Sequence, residues 1–189
     1  MTRPSIALSS ALMAAALLSG CAMPGDYRPE LIEAGPPDYY ALAAGDRLRV
    51  LVYGQDSLSN TYAVDGSGRI SMPLIGTVPV LGRGPAAVEG EIAARLREGF
   101  VRDPRVSVEV EAFRPFFVLG EVAAAGQFPY VEGMTARTAV AIAGGFSPRG
   151  YQGGVDLTRV VDGRPVTGRV PLDTLLRPGD TIMVRERIF

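Results

Sequence analysis

Short stretches in which every second residue is apolar are the feature that most limits how this chain can fold. Residues 47–52 and 106–112 both show this alternation, which is the period of a β-strand with one buried face. Turns with glycine separate such stretches: residues 65–68 (DGSG) predict a tight hairpin turn, and Asp162 with Gly163 predicts a second hairpin. The further strands predicted on these grounds cover residues 62–64, 69–72, 77–81, 116–119, 128–131, 155–161, 165–170 and 181–184.

A helical pattern is clearest in residues 85–100, where an apolar side chain recurs every four residues. Such a stripe lets a helix bury one face and expose the other. Pro85 suits the first turn of that helix, because an N–H at this position has no intrahelical partner. The predicted stripe consists of Val88, Ile92, Leu96 and Phe100. A shorter helix is predicted after Thr135, whose side chain can accept a hydrogen bond at a helix N-terminus, and before Gly144 and Gly145.

These elements predict an α+β fold made of two small units. In the first unit, residues 39–112, short strands surround the longer helix. In the second, residues 113–189, strands pack across the shorter helix in a β-grasp-like arrangement. Residues 21–38 are rich in proline and glycine and predict an extended tether. The expected organisation is therefore a tether followed by two compact units.

One sequence pattern, L-x-x-G-D-x-[LI]-x-V, occurs in both units, beginning at Leu42 and at Leu176. In each copy the glycine supplies a turn and the aspartate, Asp46 or Asp180, can accept hydrogen bonds from nearby backbone N–H groups. The alternating apolar residues that follow are expected to enter the core. The flanking segments do not align, so the pattern indicates two similar turns leading into strands rather than a duplicated domain.

The N-terminus indicates where the protein is sent. Residues 6–18 form an apolar run of 13 residues, which is shorter than the roughly 20 that a membrane-spanning helix needs and typical of a signal peptide. The run leads into Leu18, Ser19, Gly20 and Cys21. This segment resembles the bacterial lipobox, which implies cleavage between Gly20 and Cys21 and attachment of lipid to Cys21. A secretory signal with an incidental cysteine is the alternative.

Cleavage at this position leaves a mature chain of 169 residues that begins at Cys21. The lipid chains of a bacterial lipoprotein hold it at the membrane, because stable anchoring needs about two chains. The residue after the cysteine is Ala22 and not an aspartate. By resemblance to enterobacterial sorting rules, alanine at this position implies transfer to the outer membrane.

Composition excludes several kinds of site. The chain has no His and one Cys, so a Ser-His-Asp triad, a zinc site of the usual Cys/His kind and an intramolecular disulfide are all excluded. All 19 basic residues are Arg, against 20 Asp and Glu, for a formal net charge of −1. Near-neutral charge argues against binding to nucleic acid. We expect no metal and no cofactor.

Several motifs together resemble the outer-membrane polysaccharide export proteins. The first unit contains YALAAGD (residues 40–46), VDGSGRI (64–70), PLIGTVPVLG (73–82) and DPRVSV (103–108). The second contains VLGEV (118–122), GQF (126–128), AIAGG (141–145), Arg159 and PGD (178–180). Their order and spacing resemble a polysaccharide-export domain followed by a soluble-ligand-binding β-grasp (SLBB) domain.

The resemblance implies a ring of identical subunits with no catalytic centre, anchored by lipid in the outer membrane and facing the periplasm. It further implies a cavity for secreted polysaccharide and contact with an inner-membrane polysaccharide copolymerase. The motif positions that it implies to be structural are Gly45, Asp46, Pro73, Gly76, Pro104, Gly120, Gly126, Gly144, Gly145, Gly179 and Asp180.

Three departures from the family pattern affect this interpretation. Gly84 and Pro85 stand where the family often has a threonine, and Ala125 stands where a proline often precedes Gly126. Full-length members also continue into an amphipathic C-terminal helix that forms the pore, whereas this sequence ends at Phe189. The resemblance is therefore to the short members, which implies a separate outer-membrane β-barrel partner.

Candidate sugar-contacting or interface residues are Arg69, Arg149 and Tyr151, which lie in predicted turns and loops. Arginine suits acidic sugars because its rigid fork of N–H donors matches a carboxylate. An ordinary solvated side chain is the alternative at each position. For the protein as a whole, the alternative is a monomeric periplasmic glycan-binding accessory lipoprotein. It would have the same sequence features and would differ only in its assembly.

An enzymatic alternative is a glycosidase that uses two carboxylates. Glu109 and Glu111 share one face of a predicted strand, about 7 Å apart by the strand rise. The same spacing describes any solvated strand face. The aromatic content is 7% with no Trp to stack on sugar, so we expect a protein that is not an enzyme.

Overall fold

The computed structural model of the chain describes residues 40–161 and 163–188. They form the α+β fold that the sequence predicts. The first unit, residues 40–112, contains β1 (Arg47–Val52), β2 (Asn60–Ala63), β3 (Arg69–Met72), β4 (Gly76–Pro79), α1 (Pro85–Arg97) and β5 (Val106–Ala112). The second unit, residues 113–188, contains β6 (Phe116–Gly120), β7 (Gly126–Phe128), α2 (Ala136–Ile142), β8 (Val155–Val161), β9 (Arg164–Val170) and β10 (Thr181–Val184). The predicted signal peptide, the predicted tether and Cys21 lie outside the described residues.

The first unit has its own hydrophobic core. Strands β2, β1 and β5 form an antiparallel sheet in that order, and β3 pairs with β4 in a separate hairpin. The alternation in β1 places every second side chain in the core, and the stripe of α1 packs into the same core. The buried residues from these two elements are Leu48, Val50, Val52, Val88, Ile92 and Leu96.

Two predictions for the first unit are wrong in detail. Helix α1 ends at Arg97, and Gly99 then adopts a positive φ of 104°, so Phe100 leaves the stripe and is exposed. The turn at residues 65–68 does not join paired strands. It connects β2, which pairs with β1, to β3, which pairs with β4. The Asp65 carboxylate accepts the N–H groups of Ser67 and Arg69 at 2.8 and 3.0 Å, and the chain turns there from one sheet to the other.

The second unit is a mixed five-stranded sheet with α2 packed on one face. The strand order is β7-β6-β10-β8-β9, with β10 parallel to β6 and the other neighbours antiparallel. Ala136, Ala139 and Val140 of α2 belong to the same core as Phe116, Leu157 and the other inward residues of the sheet. The edge strand β7 lies earlier in the sequence than the stretch 128–131 that was predicted.

Other predictions for the second unit are confirmed. The Thr135 side chain accepts the N–H of Thr138 and caps α2. Strands β8 and β9 pair as a hairpin in which Val161 lies opposite Arg164. Gly144 and Gly145, directly after α2, both adopt positive φ. Across residues 40–161 and 163–188, no helix has the length and apolar character needed to cross a bilayer.

Candidate functional site

The turn before β1 is organised around the buried Asp46 carboxylate. Gly45 adopts a φ of 93°, in the left-handed region that favours glycine. The carboxylate accepts the N–H of Ala43 at 2.8 Å, the hydroxyl of Tyr40 at 2.8 and 2.9 Å, and the N–H of Arg114 at 2.8 Å. A carboxylate excluded from water needs such donors, because burial without them is costly. One of those donors belongs to the segment that connects the two units.

Arg114 also contacts the first unit through its side chain. Its Nη1 donates to the Tyr40 hydroxyl at 2.7 Å and lies 3.3 Å from Asp46 Oδ2, and its guanidinium lies 5.8 Å from the centre of the Tyr40 ring. Burial raises the pKa of Tyr40 far above its ordinary value, although the Arg114 charge acts in the opposite direction. The phenol is therefore a proton donor to Asp46 at all ordinary pH values.

The other side of Arg114 faces the second unit. A Cβ added at Gly179 would lie 2.8 Å from Arg114 Nε, so only glycine leaves room for the guanidinium at this point. The N–H of Gly179 also donates to the carbonyl of Pro115 at 3.1 Å. Arg114 thus lies between the two Gly-Asp turns of the chain.

A row of aromatic rings completes the contact between the units. Phe113 meets Tyr40 edge-to-face with ring centres 4.9 Å apart, and meets Tyr130 in the same way at 5.5 Å. The Tyr130 hydroxyl donates to the carbonyl of Leu176 at 3.0 Å, and burial raises the pKa of Tyr130. We call Tyr40, Asp46, Phe113, Arg114 and Tyr130 the junction.

The second Gly-Asp turn holds a buried ion pair. Arg159 reaches Asp180 with two N–H groups, Nε to Oδ1 at 3.0 Å and Nη2 to Oδ2 at 2.7 Å. Asp180 Oδ2 also accepts the N–H of Arg177 at 2.7 Å. Burial lowers the pKa of Arg177, and the nearby Arg159 charge lowers it further. The turn is therefore tied to β8 by this charged pair, and to β6 by the hydrogen bond from the N–H of Phe117 to the carbonyl of Asp180 at 2.9 Å.

The other motif positions lie in turns and at strand contacts. A Cβ at Gly120 would lie 2.1 Å from the carbonyl oxygen of Val184, so no side chain fits at this position beside β10. Gly76 opens β4 with a positive φ, and Gly126 opens the edge strand β7. Pro73 is the first residue of the turn between β3 and β4, and Pro104 is buried just before β5.

The three candidate sugar-contacting residues fall in two places. Arg69 begins β3 in the first unit, where its N–H donates to Asp65. Arg149 and Tyr151 lie together in a loop of the second unit, far along the chain from Arg69. The Arg169 guanidinium lies 5.7 Å from the centre of the Tyr151 ring. Sequence reasoning missed Arg169, although its outward position in the alternating pattern of β9 was a signal.

Of the two carboxylates considered for glycosidase chemistry, Glu111 is engaged by arginines. Glu111 pairs with Arg49 at 2.9 Å and lies 4.0 Å from Arg47. The hydrogen bond from Arg49 is the main cause that lowers the pKa of Glu111. The general acid of a glycosidase needs a raised pKa, whereas the pKa of Glu111 is lowered.

Comparison with known proteins agrees with the two-unit architecture. A model of the polysaccharide biosynthesis/export protein family matches residues 34–111, and a model of the SLBB domain matches residues 115–170. The chain therefore carries the domain that defines the polysaccharide biosynthesis/export proteins. It combines one export domain with one SLBB domain, and the central SLBB strand β10 follows the matched segment.

A curated relative with a similar sequence is the exopolysaccharide production protein ExoF of Rhizobium meliloti (strain 1021). The two are 34% identical over 120 residues, which cover 57% of this chain and 28% of the relative. The chain thus spans less than a third of the length of that relative. Residues 112–114 lie between the two matched segments, so the Arg114 contacts connect the export domain to the SLBB domain.

Proposed function

We propose that this protein is a non-enzymatic, lipid-anchored component of a machine that exports capsular polysaccharide or exopolysaccharide. The observation that carries the proposal is an export domain followed directly by an SLBB domain, as in the polysaccharide export family. The similarity to an exopolysaccharide production protein supports the same role. The Glu111 carboxylate is engaged by Arg49 and lies close to Arg47, which supports a structural role for it on the strand surface.

The proposed location is the outer membrane, with the folded units in the periplasm. Lipid on Cys21 anchors the chain, residues 21–38 form the tether, and the domain boundary lies between residues 112 and 113. The protein assembles into a homo-oligomeric ring that forms part of the translocation conduit. It contacts an inner-membrane copolymerase and works with a separate outer-membrane pore. The junction supports this arrangement, because Phe113 contacts a residue of each domain, Tyr40 and Tyr130.

Deletion of the gene, with complementation, tests the export role. We expect the deletion strain to lose surface and secreted polysaccharide and the wild-type gene to restore both. Cys21→Ser is the matched test of the anchor, because it removes only the thiol that accepts lipid, and we expect an unprocessed or mislocalised precursor. Unchanged polysaccharide in a strain with no second homologue overturns the export role. Globomycin-insensitive processing of the wild type, without acyl incorporation, overturns the anchor.

A monomeric glycan-binding accessory lipoprotein is the alternative function. The exposed arginines of the loop and sheet end near Tyr151 favour it, because guanidinium groups in contact with water can bind acidic groups of a glycan. Mass measurement of the detergent-solubilised protein over a range of concentrations separates the two proposals. A ring predicts a fixed multiple of the subunit mass, whereas a strictly monomeric species at every concentration supports the accessory role.

A further inference from the structure

The face of the SLBB sheet opposite α2 has an apolar surface in contact with water. Phe116 and Val118 of β6 point into the core that α2 shares. On the opposite face, Phe117 and Leu119 are 37% and 41% exposed, and Met183, which lies opposite Leu119, is 46% exposed. The outer face of a sheet in water normally carries polar side chains, and contiguous exposed apolar side chains mark sites of interaction. We call Phe117, Leu119 and Met183 the sheet surface.

A second exposed surface lies on α1 in the export domain. The buried stripe of α1 faces the core, and on the opposite side Ala86, Gly90 and Ala94, spaced four residues apart, are exposed. A Cβ added at Gly90 would meet no other part of the described structure within 4 Å, yet glycine inside a helix lowers stability relative to alanine. The described part of one chain thus gives no reason for a glycine here, whereas the close approach of another chain does.

The exposed side of α1 continues into a groove of about 520 Å³, whose apolar lining consists of Leu74, Ile75, Ala94 and Phe100. Leu74 and Phe100 are 58% and 51% exposed. Leu74 has a φ of 68°, and the N–H of Ile75 donates to the carbonyl of Pro73 at 2.8 Å, so Leu74 is the central residue of a strained γ-turn. The turn holds a large apolar side chain in water, in a conformation that glycine would adopt without strain. We call Ala86, Gly90, Ala94, Leu74 and Phe100 the helix surface.

The helix surface and the sheet surface match in size. Helix α1 has 13 residues and is therefore about 20 Å long, and β6 has five residues and is about 17 Å long. The helix can thus lie along the strands of the sheet. A helix packed on a sheet is a standard way to bury two apolar faces, and α2 packs in this way on the other face of the same sheet.

The charges at the edges of the two surfaces are compatible. Helix α1 ends with Arg97, which is followed by Glu98, and both are exposed. The sheet surface is bordered by Asp156 and Arg169, which lie in one row with Met183. Each surface therefore has charges of both signs at one end, which allows opposite charges to meet when the two surfaces pack together.

We propose that the helix surface of one subunit packs on the sheet surface of a second copy of this chain. Both surfaces are exposed within the described residues of one chain, so neither covers the other in the same subunit. The two surfaces differ, so every subunit uses both and the contact repeats from one subunit to the next, which closes a ring when the rotation permits. The inference rests on the proposed function and names the contact between its subunits.

Cross-linking of the full chain, purified in detergent, tests this contact. The wild type has one cysteine, Cys21, and therefore measures the background. A bismaleimide reagent is applied to the double variant Ala94→Cys/Met183→Cys and to each single variant. We expect the double variant to form a ladder of dimers, trimers and larger species, because every subunit has both surfaces. Each single variant should stay at the background level, because the contact never brings two copies of one surface together.

A charge placed in the contact tests it independently. Gly90→Glu leaves the fold of the subunit intact, because the position is open and glutamate favours a helix more than glycine does. It should raise the Kd of assembly at least about tenfold, since an unpaired charge would be buried between subunits. Mass measurement over a range of concentrations gives the Kd, and thermal unfolding shows that the variant is folded.

Leu81 provides the matched controls, because it is 61% exposed in the export domain and lies outside the helix surface. Leu81→Cys/Met183→Cys should form no ladder, and Leu81→Glu should leave the Kd unchanged. An equal ladder from this control pair, an unchanged Kd in Gly90→Glu, or a wild type that stays monomeric overturns the contact. Cross-linking of Met183→Cys alone also overturns it, since two sheet surfaces would then pack on each other. Loss of polysaccharide in the deletion strain, together with a monomeric protein, overturns the contact and leaves the export role.

Discussion

The two Gly-Asp turns have the same backbone conformation but lie in different parts of the molecule. In each, glycine adopts a positive φ, 93° at Gly45 and 86° at Gly179. In each, the aspartate accepts the N–H of the residue three positions earlier, at 2.8 Å for Asp46 and 2.7 Å for Asp180. A strand of alternating residues follows, β1 or β10. The same short pattern thus builds the same turn in two unrelated sheets.

The difference lies in the arginine that each aspartate contacts. Asp180 pairs with Arg159 inside the SLBB domain, and the two side chains are 2% and 5% exposed. Asp46 pairs with Arg114, which comes from the connection between the domains and is 26% exposed. Removing one partner of a buried ion pair lowers the free energy of unfolding strongly, because the other charge stays buried without a partner. The loss is smaller when the pair is exposed to water. One turn therefore stabilises a domain, and the other connects two domains.

The largest effect is expected from Asp180→Ala. It leaves Arg159 without the carboxylate that it contacts, and we expect the free energy of unfolding to fall by about 4 kcal/mol, as for other broken buried pairs. Urea unfolding of the full chain measures this change. Asp173→Ala is the control, because Asp173 pairs with Arg137 at an exposed position, where a pair contributes under about 1 kcal/mol. Similar losses for the two variants would contradict the role of burial.

Asp46→Ala is expected to lower the free energy of unfolding less than Asp180→Ala, but also to uncouple the two domains. Three donors lose their acceptor, namely Tyr40, Ala43 and Arg114, and at about 1 kcal/mol each the total is about 3 kcal/mol. Because one donor lies between the domains, the export and SLBB domains should then unfold separately. Calorimetry should show two transitions in place of one, and small-angle scattering a wider spread of interdomain distances.

The matched control for that variant is Asp65→Ala. Asp65 also accepts several hydrogen bonds within a turn of the export domain, from Ser67 and Arg69, but it is exposed. Asp65→Ala should shift unfolding far less and leave a single transition. A single transition in Asp46→Ala as well would show that the junction does not couple the domains.

Local patterns allowed much of this fold to be predicted. Alternation identified β1 and β5, because in a strand that buries one face every second side chain is buried. Thr135 was identified as a cap because a hydroxyl at a helix N-terminus satisfies a backbone N–H within three residues. Phe100 was misplaced because the four-residue period continues in the sequence past the position where Gly99 ends the helix.

Contacts between distant parts of the chain could not be predicted in this way. The turn at Asp65 was recognised, but which strands pair depends on sheet partners that lie elsewhere in the chain. Both aspartates were recognised as turn residues, yet Arg159 and Arg114 are 21 and 68 residues away from them. Arg114 has no local pattern at all, since its role comes from the point where two domains meet.

The smallest loss of stability is expected from Tyr40→Phe. Its dependence on pH distinguishes the Asp46 turn from the Asp180 turn. The variant keeps the aromatic packing and loses the hydroxyl that joins Asp46 to Arg114, a loss of about 1 kcal/mol at neutral pH. Burial raises the pKa of Tyr40 above its ordinary value of 10.0. The unfolded phenol therefore ionises at a lower pH than the folded one, so this stabilisation is complete below pH 10.0 and is lost as the pH rises above it.

Urea unfolding of both proteins between about pH 8 and pH 11, a range that spans the ordinary ionisation of tyrosine, measures this dependence. The wild type should lose stability more steeply than Tyr40→Phe, so their difference should shrink and then change sign. Tyr53→Phe, which changes an exposed tyrosine of the same domain, should follow the wild type throughout. A difference between wild type and Tyr40→Phe that stays constant with pH would mean that burial does not keep the Tyr40 hydroxyl protonated, and the Asp46 carboxylate would then depend on Arg114 and the N–H of Ala43.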